Sequence, residues 1–224
     1  MISKHVARTL LAAVSAGAFL FTSGPVAQAD EPTTAPATTA TDSPTPGAKP
    51  SKPVIAEYQG RQINLAKDWE GATSCTELPN GKVHCYDTDE EALADPALPA
   101  STRQKTLNSP TLYASPIPAN CFADLWCLYD HANYKGKVVR LSSNGNHDLK
   151  EWGFRDRLSS VFYFVGNWTP NYGRARIWDL RSGLLHNRQR DLTAPARYSN
   201  LANLEYPGGG NWNDKVDIFQ VIRP

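Results

Sequence analysis

The C-terminal half of this chain repeats itself, and that repeat restricts its fold more than any single motif does. Trp152-Gly153-Phe154-Arg155-Asp156-Arg157-Leu158-Ser159-Ser160-Val161 aligns with Gly210-Asn211-Trp212-Asn213-Asp214-Lys215-Val216-Asp217-Ile218-Phe219. A matching strand lies upstream of each run: Cys127-Leu128-Tyr129-Asp130 and Arg176-Ile177-Trp178-Asp179. Repeats of this length usually stack to share one core. Further β-type runs at 137–141, 159–165 and 216–221 are separated by Gly, Asn and Pro. The expectation is a β-sandwich over 118–223, long enough for one modest core.

The N-terminal half reads as a series of shorter units. Lys4 and Arg8 precede an apolar run from Thr9 to Phe21, and Ala27-Gln28-Ala29 gives the small-x-small pattern of a cleavage site. Residues 1–29 are therefore expected to be a signal peptide, since the run is too short to span a bilayer. No later stretch is apolar enough to span one. Residues 30–53, rich in Pro, Thr and Ala without an aromatic, cannot bury enough surface to offset the entropy of ordering and read as a disordered tether. Residues 54–95 read as a small hairpin unit followed by a short helix. Residues 96–117, with four prolines, read as a second linker. Removing 1–29 takes Lys4 and Arg8 and no acid from 23 basic and 22 acidic side chains, which leaves a nearly neutral chain with no electrostatic footprint for nucleic acid.

An even cysteine count in an exported chain reads as two disulfides, and the spacing favours Cys75–Cys85 and Cys121–Cys127. Zinc is the alternative, but there is no CxxC pair and no His set at ligand spacing. Between the first two cysteines, Leu78-Pro79-Asn80-Gly81-Lys82 suits a type I turn closed by a left-handed glycine. That register sets Cys75 opposite Cys85 at a non-hydrogen-bonded position, where the close Cα approach suits a disulfide. Thr88-Asp89-Glu90-Glu91 reads as a capping box. A calcium loop built on Asp87, Asp89 and Glu91 would need Gly and Glu where Ala92 and Leu98 stand.

Leu128-Tyr129-Asp130-His131-Ala132-Asn133-Tyr134-Lys135-Gly136 resembles the Greek-key signature of βγ-crystallins. Asp156-Arg157-Leu158-Ser159-Ser160 resembles their calcium-loop motif. Cys121, five residues, then Cys127-Leu128-Tyr129-Asp130 resembles the opening of the secreted actinomycete metalloproteinase-inhibitor family, which shares that fold. The resemblance covers about 118–223. It implies a mostly β chain with a βγ-crystallin-like double Greek-key sandwich, preceded by the disulfide-stapled hairpin unit and disordered linker. The second half departs from the pattern: Gly183 stands in the aromatic slot and Leu185 in the glycine slot.

The resemblance implies inhibition of an extracellular metalloprotease. Founding members hold their inhibitory loop with a second disulfide in the Greek-key domain; here no cysteine follows Cys127, so no inhibitory loop is assigned. The alternative it implies is a calcium-stabilised or wall-associated structural module. No cofactor is required, and Ca²⁺ is the one ion implied. Its oxygen donors would pair Ser159 with Asp214 and Asp217 with Asp156. Arg155 and Arg157 oppose a cation, so a guanidinium is expected to bridge the Asp156–Asp217 side and to confine any calcium to the Ser159–Asp214 side. The alternative is that Asp156 and Asp214 cap loops, that Ser159 fills a turn, and that no metal binds. Catalysis is not expected: His84, His131, His147 and His186 are scattered without HExxH spacing, and no GxSxG elbow occurs. Asn167-Trp168-Thr169 matches a glycosylation sequon, but the tether and signal look bacterial. Trp152, Trp168, Trp178 and Trp212 read as core aromatics rather than a sugar-stacking surface.

Overall fold

Residues 52–109, 118–165, 173–182 and 185–223 are described by a computed structural model. The segment expected to be a signal peptide, nearly all of the expected 30–53 tether, part of the expected second linker, the sequon with Trp168, and Gly183 lie outside the described residues.

The N-terminal part forms β1 (Ile55–Tyr58), β2 (Arg61–Asn64), β3 (Ser74–Glu77) and β4 (Val83–Tyr86), then helices α1 (Asp89–Ala94) and α2 (Ala100–Leu107). The β3–β4 turn places Gly81 at φ 80°, with Leu78 N donating to Lys82 O at 2.8 Å and Gly81 N to Leu78 O at 2.8 Å. Cys75 sits opposite Cys85 in this register, and a disulfide joins them across a Cα separation of 4.0 Å. Thr88 caps α1 by accepting from Glu91 N at 3.2 Å, and the Glu91 carboxylate accepts in return from Asp87 N at 3.1 Å.

The repeat forms β5 (Trp126–His131), β6 (Lys135–Leu141), β7 (Gly145–Asp148) and β8 (Ser160–Tyr163), then β9 (Arg174–Asp179), β10 (Arg188–Thr193), β11 (Ala196–Tyr198) and β12 (Ile218–Ile222). One sheet has the order β11-β8-β5-β6-β3-β4-β1-β2 and the other β10-β9-β12-β7. Each half therefore sends its third strand into the other's sheet: β7 pairs with β12, and β11 with β8. This exchange makes the double Greek-key sandwich expected from the sequence. Consecutive apolar residues in β5 and β8 reflect burial on both faces. Leu128, Val161 and Tyr163 enter the inter-sheet core, while Cys127, Tyr129 and Phe162 enter a second cluster behind the sheet. Cys121 and Cys127, joined in a disulfide, both belong to that second cluster.

Two expectations about organisation are corrected. The 54–95 segment is not a separate unit, because β3 pairs in parallel with β6 and extends the Greek-key sheet by four strands. Ala56, Ile63, Leu65 and Trp69 share one core cluster with Trp126, Val139, Trp152 and Phe154. The physical reason is mutual: a few short strands cannot sustain a core alone, and β6 would otherwise be an open edge. At the seam, Trp69 Nε1 donates to Trp152 O at 2.8 Å, and Gly153 lies so close that an added Cβ would meet Leu65 O at 2.2 Å. The second correction is α2, which lies in the stretch read as linker. It buries only Thr102 and leaves Leu107 67% exposed, so no apolar periodicity announced it. Polar contacts dock it instead: Arg103 donates to Leu93 O and Asp95 O, and Lys105 pairs with Asp124 at 2.6 Å.

Arg140 closes the seam. Its side chain is fully buried; it donates to Asn120 O at 2.8 Å and Thr76 Oγ1 at 3.2 Å, pairs with Asp89, and lies 4.1 Å from the Phe122 ring centroid. Arg140→Ala strands these acceptors and leaves a void, so it is expected to cost about 3 kcal/mol or more. Arg140→Met, which retains the stem, should recover part of that loss. Urea denaturation of the mature chain measures both.

His147 on β7 is 8% exposed, faces Ser143 O at 3.3 Å and packs against Trp152. Burial holds its imidazole below the ordinary value, only partly opposed by Glu77. The unfolded chain binds the proton first, so this contribution is complete above about pH 6.5 and is lost as pH falls toward the lowered folded value. Stability measured from pH 7 to pH 5 should fall, and His147→Gln should flatten that slope.

Candidate functional site

The loop that leads into β8 and the loop that leads into β12 face each other across a pseudo-twofold axis. Asp156 and Asp214 occupy equivalent left-handed positions, φ 53° and φ 54°. Asp156 N donates to Val216 O at 3.3 Å, and Asp214 N to Leu158 O at 3.2 Å. One residue on, Ser159 N donates to Tyr129 O and Asp217 N to Trp178 O, each at 2.8 Å. Phe154 and Trp212, at matching positions, are both fully buried beneath. The backbone thus treats the two loops alike, and the expected pairing of each loop with the other is present.

The side chains break the symmetry. On one side Ser159 Oγ lies 3.2 Å from Asp214 Oδ1 and donates to Asp130 O at 3.0 Å, while Asp214 Oδ2 accepts from Asn213 Nδ2 at 2.6 Å. On the other side Arg155 forms an ion pair with Asp217 Oδ1, and Asp217 Oδ2 accepts from Leu180 N. Arg157 turns away, pairing with Asp130 at 2.8 Å and donating to Gly153 O at 3.2 Å. Asp156 is exposed. The Asp217 side chain is only 7% exposed, and burial pushes its carboxyl above the usual range, as do Asp156 and Asp179; the Leu180 N–H and Arg155 oppose the rise.

These geometries differ in what they can hold. Ca²⁺ takes six to eight oxygens at about 2.3–2.6 Å. The Asp156–Asp217 side does not fit, since a guanidinium already neutralises Asp217. The Ser159–Asp214 side offers one carboxylate and one hydroxyl, with the Asp130 carbonyl beside the hydroxyl. Among the described residues, no group of three or more His, Cys, Asp or Glu side chains converges as a metal set.

Of the remaining described histidines, His186 is exposed, and His84 and His131 have structural partners. His84 Nδ1 lies 2.7 Å from Asp95, whose carboxylate also accepts from Tyr86 OH at 2.6 Å. His131 pairs with Asp130 at 2.9 Å. Reading by motif missed Arg140 and Glu77, because each is defined by residues distant in the chain, whereas the guanidinium expected at Asp217 is supplied by Arg155.

The first half of the repeat has a counterpart among known families. Residues 114–175 match the model of peptidase inhibitor family I36. The match spans β5 through β8 and reaches the start of β9; it includes neither the N-terminal strands nor most of the second Greek key. The fold is similar to the N-terminal domain of protein S, at 19% identity, with 44% of this chain and 96% of that one covered and a TM-score of 0.30. It is also similar to a βγ-crystallin domain from Clostridium beijerinckii, at 16% identity, 44% and 97% coverage and a TM-score of 0.29. Hahellin, a βγ-crystallin, is similar at 14% identity, 45% and 92% coverage and a TM-score of 0.29. No curated protein matches the sequence.

Asp217→Ala removes the acceptor of the Leu180 N–H and leaves Arg155 without its carboxylate. It is expected to cost about 1–3 kcal/mol in denaturant unfolding. An Asp217→Ala chain as stable as the parent would show that this bridge does not hold the loop.

Proposed function

We propose that this chain is an exported inhibitor of an extracellular metalloprotease, acting by binding rather than by catalysis. The observation that carries this reading is the match of residues 114–175 to a peptidase inhibitor family. The architecture suits it: strands β5 and β8 of the matched segment are buried on both faces, and a disulfide lies in one of those faces. Rigidity of that kind lowers the entropy lost when a partner is bound. Disulfides agree with an oxidising, extracellular setting.

No cofactor is required in this reading. Calcium, the ion implied by the crystallin-like loops, would be limited to one site, held by Asp214 and Ser159 with the Asp130 carbonyl. Binding there would favour the alternative of a calcium-stabilised module.

The test is titration of a thermolysin-like protease with the mature chain, residues 30–224. The whole chain is needed because the Greek keys share their core with residues 55–85. Stoichiometric loss of proteolysis at micromolar concentration is expected, and full activity at that concentration would refute the proposal.

A further inference from the structure

A cleft of about 710 Å³ opens where α1 meets the turn between β5 and β6. It exists only because the N-terminal strands are fused to the Greek-key sheet, which brings α1 beside that turn. Its floor is apolar: Phe162, Tyr134, Leu93 and Pro118 line it. A volume of several hundred Å³ with a few polar groups around an aromatic floor is typical of a ligand site.

The walls are held in place. Tyr134 stacks edge-on against Phe162 at 5.3 Å and Tyr129 at 5.6 Å. Asn133 and Tyr134 both adopt left-handed backbone, φ 61° and φ 60°, which is costly for residues other than glycine. Asn133 N donating to Ser199 O at 2.6 Å and Tyr134 N donating to Ser160 Oγ at 3.0 Å keep them there. On the opposite wall Arg140 anchors both Asp89 and the Asn120 carbonyl. Tyr129 OH donates to Asn120 Oδ1 at 3.0 Å, which leaves the Asn120 amide N–H groups for a ligand.

The rim carries opposite charges. Arg197 lines the cleft with its guanidinium 5.8 Å from the Phe162 ring centroid, while Glu90 lies on the α1 side and Lys135 on the turn side, both exposed. Among the described residues, neither side chain has a hydrogen bond or an ion pair, nor do the Asn133 amide or the Ser199 hydroxyl. Asp89, by contrast, is already neutralised by Arg140. The free groups thus call for a ligand with an apolar body, amide-type hydrogen-bonding edges, and a positive and a negative end.

We propose that this cleft binds an extended peptide segment whose apolar side chain fills the pocket over Phe162 and Tyr134, with a flanking basic group at Glu90 and a flanking acidic group at Lys135. The site is independent of the inhibitory reading.

The experiment is an NMR titration of the ¹⁵N-labelled mature chain, residues 30–224, with two capped peptides: acetyl-Lys-Leu-Phe-Glu-amide and its neutral analogue acetyl-Gln-Leu-Phe-Gln-amide. The charged peptide should give saturable shifts at Leu93, Tyr134, Lys135 and Phe162. Glu90→Gln and Lys135→Gln should each weaken it by up to about five-fold, the range of an exposed ion pair, and leave the neutral peptide unchanged. Both side chains lack structural bonds, so the variants should melt with the parent. Combining Glu90→Lys with Lys135→Glu should transfer the preference to acetyl-Glu-Leu-Phe-Lys-amide. The proposal is overturned by an absence of saturable shifts at millimolar peptide, or by equal binding of both peptides to parent and variants. It is also overturned if the shifts follow protein concentration instead of peptide, which would make the occupant a second copy of the chain.

Discussion

The fold depends on burying a charge where two parts of the chain meet. Arg140 belongs to β6, yet its partners are Thr76 on β3, Asp89 on α1 and the Asn120 carbonyl before β5. Burial disfavours its charged form, and Asp89 offsets that cost. A buried guanidinium is tolerable only when its donors are matched together. None of these segments can therefore shift without stranding the others. Glu77 repeats the device a few residues along: its carboxylate accepts from Ser142 N at 2.8 Å and Ser143 N at 2.9 Å, at the exit of β6. Polar ties at its C-terminal end thus hold a parallel β3–β6 pairing that covers only Ser74–Thr76 against Val138–Arg140.

A second constraint is the pseudo-twofold between the loops at Asp156 and Asp214. Backbone donors and acceptors match on the two sides, so the fold specifies the loop shape. Side chains then decide how the enclosed charge is neutralised. Where Arg155 faces Asp217, the cation is covalently part of the chain, and its presence does not depend on ion concentration. Where Ser159 faces Asp214, no cationic side chain intervenes, and a single carboxylate is satisfied by Asn213 and a hydroxyl. One side is thus neutralised from within the chain, while the other holds one carboxylate beside one hydroxyl.

What was legible in the sequence follows from how local each cause is. The β3–β4 hairpin could be read to the residue pair because turn chemistry, register and disulfide all lie within eleven positions. The Arg155 bridge could be anticipated because the repeat shows which loops must face each other. By contrast, β7 (Gly145–Asp148) and β10 (Arg188–Thr193) carry one buried side chain each, His147 and Leu192, so neither shows a strand's alternation of apolar residues. Helix α2 is docked by arginine and lysine rather than by an apolar stripe, which hides it from any periodicity. The misplaced domain boundary has a different cause. A parallel pairing between strands some sixty residues apart leaves no local mark. The prolines between 96 and 117 mimic the end of a unit that shares its core with the rest.

Fusion of the N-terminal strands also determines where a partner can reach the Greek keys. Strand β3 occupies the β6 edge, and Trp69 and Leu65 press on Gly153 near the first aspartate loop. The Gly153 side of that loop is therefore built into the core. The margin where the left-handed Asn133–Tyr134 turn meets α1 carries the exposed Glu90 and Lys135. A strained turn is held there by Ser160 and Ser199, which lie on and next to strands of the two different Greek keys. Its shape therefore reports on the assembly of both halves, and its rigidity comes from the same packing that closes the core.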